Sequence, residues 1–175
     1  EFLGDVLRDE GTPEEARRYY ARGEAIARAI APDGDLVMEL KRREGECLVL
    51  EGRVAQALPA LTEARRRAAA LGDRFEEGVT LRCLGEAMLA AGDGPGALRY
   101  AVEACDILET VEAKLEHLAA RVVAVQALLG RSRERGDPEP PHDLLDQAWD
   151  HALTAQSLAR EVAVEARSTI WQSIR

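Results

Sequence analysis

The chain has 175 residues, 46% of them apolar and 31% charged, and carries a formal charge of −9. That balance excludes a disordered tail, and the acidic excess disfavours nucleic-acid binding, which needs a basic face. Aromatics at only 4%, beside abundant Ala and Leu, favour helices packed through small residues over a β-sandwich.

A first helix is under way at the start of the sequence, because Phe2, Leu3, Val6 and Leu7 carry helical spacing. Residues 9–13 stop it. There Thr12 suits an N-cap, Pro13 the first helical position, and Glu14 with Glu15 the positive end of a new helix dipole. That second helix is predicted over 13–31, ended by a stretch containing Pro32 and Gly34. The next pair is predicted at 36–50 and 54–71, with a tight turn near 51–53 and Gly72 as a C-cap. A third pair spans 74–91 and 95–110, split by Gly92, Gly94 and Gly96, with Pro95 opening its second member. From 97 to 129 there is no Gly or Pro, so the next boundary carries no local mark. The repeat period predicts it near 111–113, with one continuous long helix as the alternative. Apolar spacing at Leu115, Leu118, Val122, Ala124, Val125, Leu128 and Leu129 predicts a helix to about 133. The Pro-rich, charged stretch 131–142 then inserts about 11 residues and reads as a loop. Helical spacing resumes at Asp143, and 161–175 reads as the opening helix of a further unit.

Three stretches share one pattern. Leu3-Gly4-x2-Leu7 is followed by Ala16, Glu44-Gly45-x2-Leu48 by Ala57, and Leu84-Gly85-x2-Met88 by Ala97. Each Gly precedes its Ala by 12 residues, and successive Gly lie 41 and 40 residues apart. A fixed period of this length marks a solenoid, in which each unit buries its apolar face only by stacking on a neighbour. The small residues predict helices of a pair that touch backbone to backbone, so that a bulky replacement of Ala97 overpacks the contact by roughly 1–3 kcal/mol.

This order of small and large residues resembles the tetratricopeptide repeat. The third unit matches through Leu81, Leu84, Gly85, Met88, Ala97, Ala101 and Ala104. The second matches through Gly45, Leu48, Ala57, Leu61 and Ala64, although Lys41 and Glu44 stand where apolar residues are usual. The first matches through Leu3, Gly4, Leu7, Ala16 and Tyr20, and the fourth keeps Ala124, Val125 and Leu128 without the Gly. The resemblance implies an all-α fold, a right-handed superhelical array of antiparallel helix pairs (an α-solenoid). It would be one repeat domain over 1–175, with units 1–33, 34–73, 74–113 and 114–160 and a partial helix at 161–175. The long period is similar to that of arrays in large bacterial regulators and signalling ATPases. Phe2, Leu3 and Val6 at one end, and Ile170, Trp171 and Ile174 at the other, belong to half-units. They read as a piece of a longer protein, or as faces that pair with another copy.

In such arrays the first helix of each pair lines a groove. Carried onto this sequence, the groove would be formed by Glu39, Arg42, Arg43, Glu46 and Val49, then by Val79, Arg82, Glu86 and Leu89, and continued by Val122, Gln126 and Leu129. Arg42-x3-Glu46 recurs as Arg82-x3-Glu86. Two readings stand: an arginine ladder that holds the carboxylates of a peptide, or intrahelical i,i+4 ion pairs. The Lys and Asn pairs with which some relatives clamp a peptide C-terminus are missing.

Catalytic constellations are poor. His117, His142 and His151 lack a shared helix spacing for a metal. Cys47, Cys83 and Cys105 are odd in number, widely spaced and without a CxxC arrangement, which argues against a disulfide framework or a zinc site and for buried thiols in a reducing compartment. Gly92-x-Gly94-x-Gly96 lacks the preceding strand and following Lys-Ser/Thr of a phosphate loop and reads as a turn. Glu76-Glu77, like Glu14-Glu15, suits a first helical turn. Arg65, Arg66 and Arg67 read as a solvated face with one Arg paired across a turn, and Tyr19, Tyr20 and Tyr100 as inter-helix packing. No stretch approaches the roughly 18 apolar residues of a membrane span, and no signal peptide opens the chain. The resulting expectation is a cytoplasmic protein- or peptide-binding scaffold, the regulatory or sensor part of a larger signalling or transcription-regulating protein. Homo-oligomerisation through the terminal helices and small-ligand sensing are the alternatives. No enzyme activity, cofactor, metal, nucleic acid or membrane is expected.

Overall fold

Five helices of this chain stop in the same way. One amide, in the left-handed region of the backbone, reaches back three residues to a carbonyl, and the next amide reaches back five, which satisfies carbonyls a helix end would leave orphaned. A computed structural model of the chain describes residues 2–135 and 142–173, with side chains described outside 131–135 and 167–173. In it Gly11 N donates to Arg8 O at 3.0 Å and Thr12 N to Leu7 O at 2.9 Å, and the same pair of bonds recurs at 52–53, 72–73, 92–93 and 112–113. Gly11, Gly52, Gly72 and Gly92 have φ of 82, 72, 71 and 78°, values that glycine adopts without a steric cost. The fifth position is Glu112, at φ 55°.

Eight helices occur among the described residues: α1 (Phe2–Asp9), α2 (Pro13–Ile30), α3 (Asp35–Leu50), α4 (Val54–Leu71), α5 (Arg74–Ala90), α6 (Gly94–Thr110), α7 (Lys114–Arg135) and α8 (His142–Ser173). No strand occurs among the described residues. Asp73 caps α5 by accepting from Glu76 N at 3.0 Å, and Asp93 caps α6 by accepting from Gly96 N at 2.9 Å. Thr12 stands at the N-cap of α2 but does not cap it: its hydroxyl donates to Leu7 O at 2.8 Å and ties the turn back to α1. The break that the repeat period placed near 111–113 is present, so a single helix through this point is ruled out. The boundary expected near 161 is absent. α8 runs 32 residues without a break, because no Gly or Pro interrupts 142–173 and Lys114 pairs with Glu161 at 3.4 Å and with Glu165 beyond it. Of the stretch 131–142 expected as a loop, 131–135 continue α7 and His142 opens α8, whereas 136–141, Ile174, and the side chains of Ile170 and Trp171 lie outside the described residues.

Adjacent helices pack in chain order, and α3, α5 and α7 also stack directly on one another. The pairs are antiparallel: Lys114, at the start of α7, meets Glu161, whereas Arg121, two turns on, meets His151. Within a pair, each repeat glycine forms a notch. A Cβ on Gly4 would lie 2.5 Å from the Tyr20 ring, and one on Gly45 would lie 2.5 Å from Leu61. At Gly85 opposing backbone is among the nearest atoms, with Ala97 O at 3.4 Å and the Val123 side chain at 3.0 Å from the same point. The contact is thus side chain into notch in the first two pairs. In the third pair backbone stands nearest after Val123, where Ala101 takes the position of Tyr20 and Leu61 and leaves room for it.

The apolar core continues along the array, one cluster joining Leu48, Leu61, Val79, Leu81, Leu84 and Leu108 across successive pairs. Tyr20 is fully buried, its hydroxyl donating to Asp5 at 2.7 Å, and Tyr100 packs against the main cluster. Tyr19 departs from the packing role expected of it and stands exposed on α2. Phe2, Leu3 and Val6 on α1, and Leu145, Trp149 and Leu153 on α8, are also exposed. No helix among the described residues is long and apolar enough to cross a membrane.

Gly45→Ala tests the notch. The substitution gains about 1 kcal/mol of helix propensity but overpacks the contact with Leu61 by roughly 1–3 kcal/mol, so the urea midpoint is expected to fall. In a double-mutant cycle with Leu61→Ala the two changes are expected to be non-additive, because the smaller side chain vacates the space that the new Cβ enters.

Candidate functional site

The odd-numbered helices share a face, and on it lies a groove of about 430 Å³ whose lining comes only from α1, α3, α5 and α7. Arg8, Arg42, Arg43, Glu46, Val49, Leu50, Phe75, Glu76, Val79, Arg82, Glu86 and Glu116 form its walls. Of the residues named from the sequence, seven therefore meet here. Val122 and Gln126 line a second, adjoining depression together with Arg82, Glu86, Leu115 and Glu116. Glu39 lies at the side, 3.9 Å from Arg43. Leu89 is drawn instead into an apolar cluster with Ala101, Val123 and Ala124.

The charged residues of this face bond to one another in a repeating register. Arg42 donates through NH1 to Glu46 at 2.9 Å, and through Nε and NH2 to the two oxygens of Glu76 at 2.7 and 3.2 Å. Forty residues on, Arg82 donates to Glu86 at 2.6 Å and to Glu116 at 2.8 Å. Both i,i+4 pairs are thus formed, and each arginine also reaches the next odd-numbered helix through the residue 34 positions ahead. Arg82 reaches back as well, donating to Glu46 at 3.2 Å. Arg8 joins from α1, 3.0 Å from Glu46, and Arg43 pairs with Asp5.

Glu46 is the hub. Its carboxylate accepts from Arg8, Arg42 and Arg82, and from the buried Cys83 thiol at 3.1 Å. Burial alone would raise its pKa, but Arg42, Arg82, Cys83 and Arg8 outweigh that and hold it at about 2. Cys83 responds in the opposite sense: burial and the facing Glu46 charge push its thiol well above the ordinary value. Cys47 and Cys105 are likewise free and buried, with thiols pushed up to about 12 and about 11, chiefly by burial.

Sequence reasoning missed Arg8, Leu50, Phe75, Glu76 and Glu116. Glu76 and Glu116 were legible in principle, since each is the third residue of its helix and they recur at the repeat period. First-turn dipole complementarity accounted for Glu76 and left its second role unseen. The basic run also differs from expectation. Arg66 and Arg67 both pair with Glu63, Arg67 also donates to Pro32 O at 2.9 Å, and Arg65 pairs with Glu103.

A second polar cluster joins α7 to α8. Arg121 Nε donates to His117 Nε2 at 3.0 Å, and Arg121 NH1 lies 3.1 Å from His151 Nδ1. A guanidinium has donors only, so both facing ring nitrogens present lone pairs and both imidazoles are neutral. Burial, and then Arg121, pushes the pKa of each histidine below the ordinary 6.5, against weaker opposition from Glu109 and Asp106 at His117 and from Asp150 at His151. No cluster with the make-up of a metal site occurs among the described residues.

No family model matches the chain, and no curated protein matches it. The fold and the site define the class by themselves: an all-α stack of antiparallel helix pairs, with a groove whose charges are cross-bonded from one pair to the next.

Replacing Glu46 by Ala leaves Arg42 and Arg82 each short of an acceptor in a nearly buried site, and is expected to cost about 3 kcal/mol in urea unfolding. Because the folded pKa of Glu46 lies below its ordinary 4.5, its contribution is present above that value and is lost as pH falls toward 2. Glu46→Gln is expected to flatten the stability profile across that window. The histidines act at higher pH. With folded pKa values depressed, their contribution is complete above about 6.5 and declines as pH falls below it, since the unfolded state then binds more protons. Urea midpoints measured through pH 7.5–5.0 (roughly the span in which histidine titrates) are expected to fall, and His117→Gln/His151→Gln should remove most of that slope.

Proposed function

We propose that this chain is a tetratricopeptide-like, right-handed superhelical array that binds a protein or peptide along the face of its odd-numbered helices. The observation that carries this reading is the groove itself. Leu50 and Phe75 stand 62% and 45% exposed in its wall, beside arginines already held by carboxylates of the same face. Exposed apolar side chains in a groove walled by stacked helices fit a partner's side chains, and the cross-bonded walls reduce the ordering that binding would require. A binding role is also the reading that the electrostatics favour over catalysis. The most connected carboxylate, Glu46, is held at about 2, far from the range of a general base working near neutrality. We place such a module in the regulatory or sensor part of a larger signalling or transcription-regulating protein, in a reducing compartment such as the cytoplasm, where three free buried thiols are at home.

Peptides selected from a random library on the immobilised protein test the proposal. Their affinity is expected to fall at least about tenfold on Leu50→Ala/Phe75→Ala, a loss of about 1.4 kcal/mol. Amide shifts induced by the peptides are expected on α3 and α5. Binders that tolerate the double substitution and shift only even-numbered helices would sink the groove reading.

A further inference from the structure

Resting on the groove reading above, we infer that the occupant of this groove is a cationic, amphipathic segment, with Lys or Arg side chains flanking an apolar ridge. Carboxylate recognition by an arginine ladder is the opposite sign, and the geometry of the forks argues against it. Arg82 directs three nitrogens to three different carboxylates, Glu116, Glu86 and Glu46. Arg42 has two nitrogens on Glu76 and one on Glu46, and Arg8 has two on Asp9 and one on Glu46. Arg43 is held by Asp5 and Glu39. Each of these guanidinium groups already faces at least two internal carboxylates, which would repel an incoming one.

The acceptors are in excess. The four arginines and four glutamates of the lining balance, but the arginines also bind Asp5, Asp9 and Glu39 beside it, so among the described residues the network carries a net charge of −3. Among the charged side chains of the lining, Glu86 and Glu116 are 37 and 28% exposed, against 23, 16, 13 and 7% for Arg8, Arg43, Arg82 and Arg42, with Glu46 and Glu76 at 11 and 8% deeper in the network. A partner in the groove therefore meets Glu86 and Glu116 as the most exposed charged side chains of its lining. Leu50 and Phe75 supply the apolar footing beside this rim. The complementary segment carries donors toward Glu86 and Glu116 and apolar side chains toward Leu50 and Phe75.

Three synthetic peptides test this, sharing one amphipathic leucine pattern and carrying Lys, Gln or Glu at the remaining positions. On the wild-type protein the Lys peptide is expected to bind at least about tenfold more tightly than the Glu peptide, with an advantage that shrinks as salt is raised. Leu50→Ala/Phe75→Ala should weaken the Lys peptide about tenfold. Glu86→Gln/Glu116→Gln should shrink the Lys-over-Glu preference. Glu86→Gln alone, a change at the more exposed end of an i,i+4 pair, should do so in part, which guards against a folding defect from the loss of Glu116. Glu14→Gln/Glu161→Gln, with the same change in net charge on even-numbered helices, should leave the preference intact. A Glu peptide that binds more tightly and still depends on Leu50 and Phe75 overturns the cationic inference while leaving the groove as the binding surface. If all three peptides fail to bind in a manner that depends on Leu50 and Phe75, the inference and the groove reading fall together. A Lys preference weakened equally by the control pair reports overall charge and also overturns the inference.

Discussion

The carboxylate of Glu46 takes donors from three helices at once, Arg8 on α1, Arg42 on its own α3, and Arg82 with Cys83 on α5. Apolar stacking drives the helix pairs together, but it is non-directional and would tolerate sliding between neighbours. A nearly buried carboxylate with four donors does not tolerate it. Each shift of α1 or α5 along α3 would strand a guanidinium away from water, and that cost is large beside the marginal stability of a domain. The ion network therefore sets the register in which the odd-numbered helices stack, and with it the shape of the groove they line.

The same network explains how a chain with so many arginines presents an acidic face. Arg42 and Arg82 lie inward and join helix to helix through the nearly buried Glu46 and Glu76, while Glu86 and Glu116 reach the rim. Isolated surface pairs contribute little, but here half of the network's pairs link neighbouring repeats, so their geometry is shared between folding and the binding surface. Where the register reaches α7, Val122 and Gln126 replace Arg82 and Glu86, and the ladder ends in the depression beside Leu115. The groove thus passes from a cross-bonded, charged wall to a more apolar one within a single molecule.

Much of this was legible in the sequence. Helix limits were marked wherever Gly or Pro chemistry marks them: Pro13, Gly72, and Gly92 with Pro95 stand at the ends the structure shows. The stop before α7 carried no such mark because Glu112 occupies the left-handed position that Gly72 fills one unit earlier, and only the period revealed it. The spurious boundary near 161 has the converse cause. The period asked for a break there, but no residue of 142–173 interrupts a helix, and α8 continued. In the groove, Arg42, Glu46, Arg82 and Glu86 were visible through their i,i+4 spacing. Arg8, Glu76 and Glu116 were not, since their partners lie 34 or 38 residues away and no local rule connects them.

The sequence by itself determined the helices and the period with which they recur, because capping, glycine stops and apolar spacing act within a few residues. It also determined which face of each odd-numbered helix carries charge. Only the tertiary structure decided what that charge does. An arginine on a helix face can serve a neighbour or a ligand with the same side chain, and the choice depends on which carboxylates stacking brings within about 3 Å. Here stacking brings Glu46 and Glu116 to Arg82 and Glu76 to Arg42, so that these arginines serve neighbouring helices once the pairs are assembled.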